Sequence, residues 1–216
     1  MSFRFVPYHK VRAVFALFIA ALPLNMLRIL LYRVILRYDI AWSARIGFGT
    51  ILIVDKATIG RAIVGHFNVF YGPFTLAIGD DTRIVDSNTF ACGDWVSRDD
   101  ERYPRSCVIG ERTMITKGHH FDVIGGFQIG NDSWIAGCHS QFWTHGAGLV
   151  AKCVIGNDCY IGSAVRFAPG SGVGNYTLVS LGSVVTEEFS RDHIMLGGMP
   201  ARIIKENHNW RTPGKG

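Results

Sequence analysis

The strongest constraint on the fold is a six-residue repeat in the C-terminal half of the chain. Large apolar residues recur at every sixth position, namely Ile155, Ile161, Phe167, Val173, Val179 and Val185. Four positions after each of the first five stands a second residue, and all but one of these are small: Cys159, Val165, Ser171, Thr177 and Ser183. In a helix a six-residue step turns the side chain by roughly 240°, whereas in an extended chain both series face one way. Gly156, Gly162 and Gly174 then mark bends, so the repeat predicts short strands stacked into a coil.

The repeat resembles that of a known protein family. The successive hexads IGNDCY, IGSAVR, FAPGSG and VGNYTL are similar to the hexapeptide repeat of left-handed β-helix acyltransferases. The resemblance covers residues 40–206 and is most specific over 129–206. It implies an all-β solenoid, a left-handed parallel β-helix in which three hexads make one turn. The sequence GGMPARIIKE, from Gly197 to Glu206, resembles the segment that closes this helix in many members and begins a C-terminal helix.

These observations predict three parts of the chain. Residues 1–40 form an apolar and basic helical segment, residues 41–196 form the left-handed β-helix, and residues 197–216 form the closing segment, a short C-terminal helix and a tail. The repeat slips in the first coils, around Ile59, Val64 and Phe70, as is common in terminal repeats of solenoids.

The N-terminal segment carries the basic charge of the protein. Residues 1–38 contain six Lys or Arg and no acid, so their net charge is +6. The whole chain has a net charge of +5, so the remaining residues sum to about −1. Because the residues after 38 have no excess of basic side chains, nucleic acid is not expected as a partner. The longest charge-free apolar piece, residues 13–27, has 15 residues, which is short of the roughly 20 that span a bilayer.

Three interpretations of this segment remain open. Two helices meeting near Pro23 could lie on a membrane surface, with residues 1–38 as a peripheral anchor, could cap the first coil or pack on a neighbouring subunit, or could span the bilayer. Five cysteines without a C-x-x-C motif favour a reducing compartment. We therefore expect a cytoplasmic protein, with peripheral contact at the inner face of the cell membrane under the first interpretation.

An interruption of the repeat predicts where the chemistry resides. From Gln141 to Ile155 there are fourteen positions rather than six or twelve, so the chain must bulge outward there. The bulge contains His145, and the resemblance implies that a His in such a loop removes the proton of the acceptor hydroxyl or amine. An imidazole with a pKa near 6.5 suits this role. Backbone N–H groups around Gly146 or Gly162 could stabilise an oxyanion.

Several other side chains near the bulge are candidates. His120 could contact the substrate or orient the base, and Asp122 could orient a histidine. Phe142 and Trp143 could stack on sugar faces. The charged loop at residues 97–105 is either a solvated excursion or a lid over an acceptor sugar.

The donor site is implied only by the resemblance. In that family acetyl-CoA lies between neighbouring subunits of a homotrimer, with its pantetheine arm along the coils. The matching positions here are Ser163, Gly182, Ser183, Thr186, Arg202 and Lys205. Glu187 stands where a Lys is frequent, and a carboxylate there would disfavour the phosphates of the nucleotide.

The predicted function is transfer of an acetyl or other short acyl group from acyl-CoA to a sugar hydroxyl or amine, in surface polysaccharide biosynthesis and without a metal. The alternative is a zinc enzyme similar to the γ-class carbonic anhydrases, with His119, His139 and His145 as ligands between subunits. A third interpretation is a non-catalytic scaffold.

Overall fold

The computed structural model describes residues 8–96 and 100–212, which form two helices followed by short strands. The helices are α1 (Tyr8–Ala20) and α2 (Asn25–Val34). In chain order the strands are β1 (Asp39–Ile40), β2 (Arg45–Ile46), β3 (Ile51–Ile53), β4 (Lys56–Ile59), β5 (Ile63–Val64), β6 (Val69–Tyr71), β7 (Thr75–Ile78), β8 (Arg83–Ile84), β9 (Thr89–Ala91), β10 (Ser106–Ile109), β11 (Met114–Ile115), β12 (His120–Asp122), β13 (Phe127–Ile129), β14 (Trp134–Ile135), β15 (Gln141–Phe142), β16 (His145–Gly146), β17 (Leu149–Val150), β18 (Cys153–Ile155), β19 (Tyr160–Ile161), β20 (Arg166–Phe167), β21 (Gly172–Val173), β22 (Leu178–Val179), β23 (Val184–Val185), β24 (Glu188–Phe189), β25 (Met195–Gly197) and β26 (Arg202–Lys205).

Three parallel sheets form the sides of a left-handed prism. Sheet A has the order β1-β4-β7-β10-β13-β18-β21-β24, sheet B has β2-β5-β8-β11-β14-β19-β22-β25 with β26 at its edge, and sheet C has β3-β6-β9-β12-β15-β20-β23. The chain passes from A to B to C in each coil and then starts the next coil. The predicted solenoid is therefore confirmed, and its register follows the hexads except at Gln141.

The core consists of three columns of large side chains, one from each sheet. Sheets A and B contribute mainly Ile and Val, whereas sheet C contributes a column of phenylalanines. Their rings stack coil on coil, with centroids 4.5 Å apart for Phe70 and Phe90, 4.2 Å for Phe90 and Phe121, and 4.8 Å for Phe121 and Phe142. Stacking in register buries each ring completely and fixes the coils relative to one another.

One position of the sequence-based register is wrong. Gln141 was expected to point inward, but Phe142 pairs with Phe121 and occupies the core instead. The corner between sheets B and C is one residue longer in this coil, since seven positions separate Ile135 from Phe142 and six separate Ile115 from Phe121. Phe142 is fully buried, so its predicted role of stacking on a sugar is also wrong.

Helices α1 and α2 cap the first coil. Ile19, Ile29 and Tyr32 are fully buried in the same core as the prism. The Arg28 guanidinium donates to the carbonyl of Ile46 at 2.7 and 3.0 Å, and the Tyr32 hydroxyl donates to the carbonyl of Thr50 at 3.0 Å. Among the described residues, neither helix has the length and apolarity needed to cross a bilayer.

The predicted C-terminal helix is wrong within the described residues, which end at 212. Arg202–Lys205 instead forms β26, which pairs antiparallel with β25 and completes the edge of sheet B. The strand is favoured because β25 would otherwise present unpaired backbone groups at the end of the sheet. The chain then continues to Trp210, which packs against Trp134 and Tyr160 on the outer face of the same sheet.

Candidate active site

Two excursions leave the prism at the same corner, between sheets C and A. One follows β9 and includes the described residues 92–96 and 100–105, and the other follows β15 and occupies residues 143–152. Residues 97–99 of the predicted charged loop lie outside the described part of the chain. The coil between them turns tightly after Asp122, which is in register with Ala91 at the end of β9. The returning limbs of both excursions lie beside Gly126, where an added Cβ would be 3.7 Å from Pro104 and 3.4 Å from Lys152. Stacking of parallel strands therefore brings the two excursions together.

The second excursion is a β-hairpin, which confirms the predicted bulge. Strands β16 and β17 pair antiparallel, and the turn residues Ala147 and Gly148 have φ values of 48° and 82°. Two positive φ values in a two-residue loop define a type I′ turn, for which Gly148 is well suited. The hairpin presents His145 on its first strand, close to the body of the prism.

Asp122 holds the base of this hairpin. It is 3% exposed, and its Oδ2 accepts hydrogen bonds from the backbone N–H groups of Thr144 at 2.8 Å and His145 at 3.0 Å, and from the Thr144 hydroxyl at 2.7 Å. The same oxygen lies 2.8 Å from His145 Nδ1. These hydrogen bonds fix the position of the hairpin relative to the prism.

The Asp122 contact determines the tautomer of His145. A carboxylate oxygen can only accept, so Nδ1 carries the proton and donates to Asp122. The lone pair is then on Nε2, and the His145 side chain keeps 32% of its surface exposed. This arrangement can take a proton from a neighbouring hydroxyl, and Asp122 would stabilise the resulting imidazolium.

A groove of about 640 Å³ adjoins His145 on the outer face of sheet C. It is lined by residues of the hairpin and of β20, among them Trp143, Leu149, Arg166 and Pro169. Arg166 makes no side-chain hydrogen bond or ion pair within residues 8–96 and 100–212, so its charge is available to a ligand. Sequence reasoning missed Arg166, although its place next to the inward Phe167 already predicts that it points outward.

His120 lies on the outer face of the same sheet. Its ring centroid is 5.1 Å from that of Trp143, and it is half-buried. Burial lowers the pKa of His120 from its usual value, although the nearby Asp122 opposes the shift. His120 thus lies beside Trp143 of the groove, and its contact with a substrate stays a prediction. In the described part of the chain its imidazole has no carboxylate partner like that of His145.

The geometry of His119 disfavours the zinc alternative. His119 is 2% exposed, its Nδ1 accepts the N–H of Ser140 at 3.1 Å, and its Nε2 lies 3.0 Å from the Thr116 hydroxyl. Both nitrogens are therefore engaged inside the protein, and burial, with a smaller contribution from His139, lowers the pKa of His119 to about 4. Within one chain, the described residues contain no cluster of three His, Cys, Asp or Glu suited to a metal ion.

Ser163, Gly182 and Ser183 lie at the corner between sheets B and C. Thr186 follows β23 at the corner between sheets C and A, and Arg202 and Lys205 lie on β26. The N–H of Gly182 donates to the carbonyl of Ser163 at 2.8 Å, and Ser163 lines a second groove of about 280 Å³. Thr186 and Lys205 are exposed. Arg202 lies 3.3 Å from Glu187, so the unexpected carboxylate has a cationic partner.

Two of the groups predicted to bind the acyl donor or the oxyanion are engaged within the protein. Ser183 is 1% exposed and its hydroxyl donates to the carbonyl of Ser180 at 2.7 Å, so its side chain packs the corner rather than facing a donor. The N–H of Gly162 donates to the carbonyl of Val179 at 2.9 Å, so it is not free to stabilise an oxyanion. Gly146 is exposed beside His145, and its role as an oxyanion donor stays a prediction.

Comparisons with known proteins support the architecture. No protein-family profile matches the chain. The chain is similar to the polySia-specific acetyltransferase NeuO, with a TM-score of 0.53 and 20% identity over 83% of this chain and 84% of that one. It is also similar to the UDP-N-acetylglucosamine acyltransferase of Francisella novicida, with a TM-score of 0.56 and 17% identity over 79% of this chain and 67% of that one. The chain has the fold of the hexapeptide-repeat acyltransferases.

The hexapeptide-repeat fold also has a match among curated proteins. Over 68 residues the chain is 31% identical to the galactoside O-acetyltransferase of Escherichia coli strain K12. The match covers 32% of this chain and only about a third, 33%, of that protein. The predicted resemblance is confirmed at this level, while identities near 20% with the solved structures establish the fold alone.

Proposed function

We propose that the protein is an acyl-CoA-dependent O-acetyltransferase that acts on a saccharide, with His145 as the general base. The observation that carries this proposal is the contact between Asp122 and His145 Nδ1 at the mouth of an open groove. The hexapeptide-repeat fold and the similarity to a galactoside O-acetyltransferase support the reaction class.

The proposed chemistry needs one proton transfer in each direction. His145 Nε2 takes the proton of the acceptor hydroxyl as its oxygen forms a bond to the thioester carbonyl carbon. When the tetrahedral centre collapses, the carbon–sulfur bond breaks and the imidazolium returns the proton to the departing thiolate. Asp122 holds the ring in the required tautomer and stabilises its cationic form in both steps.

We propose that the groove on sheet C holds part of the acetyl-CoA co-substrate. Its volume of about 640 Å³ is in the range of ordinary ligand pockets, and Trp143 and Leu149 give it apolar walls. Arg166, whose side chain has no partner among the described residues, offers its guanidinium to a phosphate or carboxylate. Ser163 and Gly182 lie on the far corner of the same sheet, where Leu181 is 79% exposed and Met199 72%. A neighbouring subunit in a homotrimer would cover these apolar side chains, and we propose that the donor site is completed in this way.

The acceptor is proposed to be a saccharide of a surface polysaccharide. The names of two similar proteins specify a galactoside and polySia as their acceptors, and both are carbohydrates. Trp143 was predicted to stack on a sugar ring; because it lines the groove proposed for acetyl-CoA, we assign it to the donor side of His145 instead.

The outer face of α1 and α2 supports a peripheral contact with the inner face of the cell membrane. Several large apolar side chains point away from the prism, including Val14 at 66%, Phe18 at 60% and Leu24 at 65% exposure. Residues 1–38 contain no acid. Arg12 and Arg28 contribute little to the outer face, because both are buried and donate to backbone carbonyls. The contact would thus be mainly hydrophobic.

A transfer assay tests the proposed function. Purified protein is incubated with radiolabelled acetyl-CoA and with galactose, maltose or polysialic acid, and label in the saccharide is counted. We expect His145→Ala to reduce incorporation by roughly 10²-fold or more. The matched control is His66→Ala, because His66 also faces a carboxylate, Asp86, at 3.5 Å but lies away from the groove.

Other outcomes of this assay would revise the proposal. A larger loss in His120→Ala than in His145→Ala would move the base to His120. Zinc bound stoichiometrically to the purified protein and lost in His145→Ala would favour a metal enzyme. Unchanged incorporation in His145→Ala would contradict the assignment of the base.

A further inference from the structure

We propose that Trp95 is an acceptor-binding residue, whose indole stacks on the sugar ring that delivers its hydroxyl to His145. This inference rests on the proposed function, which it extends by assigning the two substrates to two different sides of His145. Trp95 belongs to the excursion after β9, and it was not singled out by the sequence.

The position of Trp95 places it at the reacting imidazole. Its ring centroid lies 5.8 Å from that of His145, with an angle of 58° between the planes. The two residues come from different coils and meet because β9 and β15 both end at the corner between sheets C and A. Trp95 therefore approaches His145 from the coil on the α1–α2 side of the hairpin.

Trp95 is held in place although most of its surface is open. It is 64% exposed, and its ring makes an edge-on contact with Tyr103 at 5.7 Å and 89°. The ring also lies against the chain at Gly93, where an added Cβ would come within 2.4 Å of Trp95 Nε1. Leaving an indole exposed to solvent forgoes the free energy that its burial would contribute. An indole that its neighbours hold in place, but that stays exposed beside a base, therefore indicates a surface that binds a ligand.

The chemistry of the indole selects the class of ligand. A pyranose ring has a face of C–H groups and a rim of hydroxyls, so it can stack on an aromatic face while one hydroxyl is directed to the His145 Nε2. The donor groove contains Trp143, Leu149 and Arg166 but not Trp95. Donor and acceptor would thus reach His145 from opposite sides, with the donor along sheet C and the acceptor on the excursion after β9.

A kinetic comparison distinguishes an acceptor platform from a residue that only positions the imidazole. For Trp95→Ala we expect about a tenfold increase in the acceptor KM, which corresponds to about 1.4 kcal/mol. The acetyl-CoA KM and the slow hydrolysis of acetyl-CoA without acceptor should stay within about twofold. Trp95→Phe should recover most of the acceptor affinity, and Trp42→Ala, which removes an exposed indole on the first coil, should have no effect.

The opposite pattern would overturn the proposal. If Trp95 only positions His145, Trp95→Ala lowers kcat and the hydrolysis of acetyl-CoA together while the acceptor KM stays unchanged. Equal increases of both KM values would show a general disturbance of the site and would equally contradict an acceptor platform.

A binding measurement keeps this inference separate from the proposed function. Saturation-transfer NMR detects galactose, maltose or polysialic acid bound to His145→Ala protein, in which the proposed base is absent. Signals from the sugar C–H protons should be lost in the double variant that also carries Trp95→Ala. They should be retained in the double variant that also carries Trp42→Ala. Equal signals in both double variants, or no saccharide signal in any variant, would overturn the role of Trp95. Failure of the proposed function would instead appear as sugar binding to wild-type protein without any acetyl transfer.

Discussion

Asp122 Oδ2 lies 2.8 Å from His145 Nδ1, although the two residues are 23 positions apart in the chain. The contact exists because β12 and β15 are adjacent parallel strands of sheet C, with Phe121 in register with Phe142. Asp122 ends one strand, and the hairpin that carries His145 leaves from the next. Stacking of the coils therefore brings Asp122 and His145 together, and the rigid prism determines the position of the hairpin.

The first prediction concerns the carboxylate. Asp122→Asn should lower kcat by roughly 10²-fold or more, because an amide cannot accept every hydrogen bond now made to Asp122 and no longer fixes the tautomer of His145. It should also reduce the melting temperature, since Thr144 N–H and His145 N–H lose their charged acceptor. Asp132→Asn, which removes a surface partner of Arg112, is the control. An unchanged kcat in Asp122→Asn would contradict the role of the carboxylate.

The second prediction concerns the aromatic column. Phe121→Ala should lower the free energy of unfolding by about 3–5 kcal/mol, because Phe121 stacks between Phe90 and Phe142 and leaves a cavity when truncated. Urea denaturation measures the change. Phe67, at 57% exposure, is the control, and Phe67→Ala should change stability by about 0.5 kcal/mol or less. Similar effects of the two substitutions would contradict the central role of the column.

The third prediction concerns acid stability. Burial lowers the pKa of His119 to about 4 from 6.5, so the unfolded chain holds more protons than the folded protein between these values. Stability should therefore fall as the pH decreases through this window, by up to roughly 3 kcal/mol. In His119→Asn, whose amide oxygen can still accept the Ser140 N–H, this part of the loss should disappear. Identical slopes of melting temperature against pH from 6.5 to 4 in the two proteins would contradict the assignment.

The prism was predictable because its determinants are local. Inward side chains such as Ile155 and Ile161 recur at an even spacing, and one hexad occupies each side of the coil. The outward bulge at His145 was predictable for the same reason, since a regular solenoid must expel the extra residues. The spacing of the repeat thus predicts both the stacked coils and the place where the hairpin interrupts them.

The errors occurred where the outcome depends on corner geometry or on tertiary pairing. One extra residue at the corner near His139 shifts the register by one position, so Phe142 rather than the expected Gln141 points into the core. The segment Arg202–Lys205 paired with a free strand edge, which its own sequence does not reveal. Trp95 was overlooked because it is 50 positions from His145 in the sequence. Their contact becomes evident only when both excursions are seen to leave the prism at the same corner.

The fourth prediction concerns the outer face of α1 and α2. Wild-type protein should sediment with vesicles containing anionic lipid, and Phe18→Asp should reduce the bound fraction at least tenfold, because Phe18 is 60% exposed on an apolar face without acids. The melting temperature should not change, since Phe18 points away from the core that Ile19 enters. Ile204→Asp, at a residue that is 53% exposed on β26 at the other end of the prism, is the matched control and should leave vesicle binding intact. If Phe18→Asp instead lowers the molar mass of the assembly without affecting vesicle binding, this face contacts a neighbouring subunit and the membrane contact is wrong.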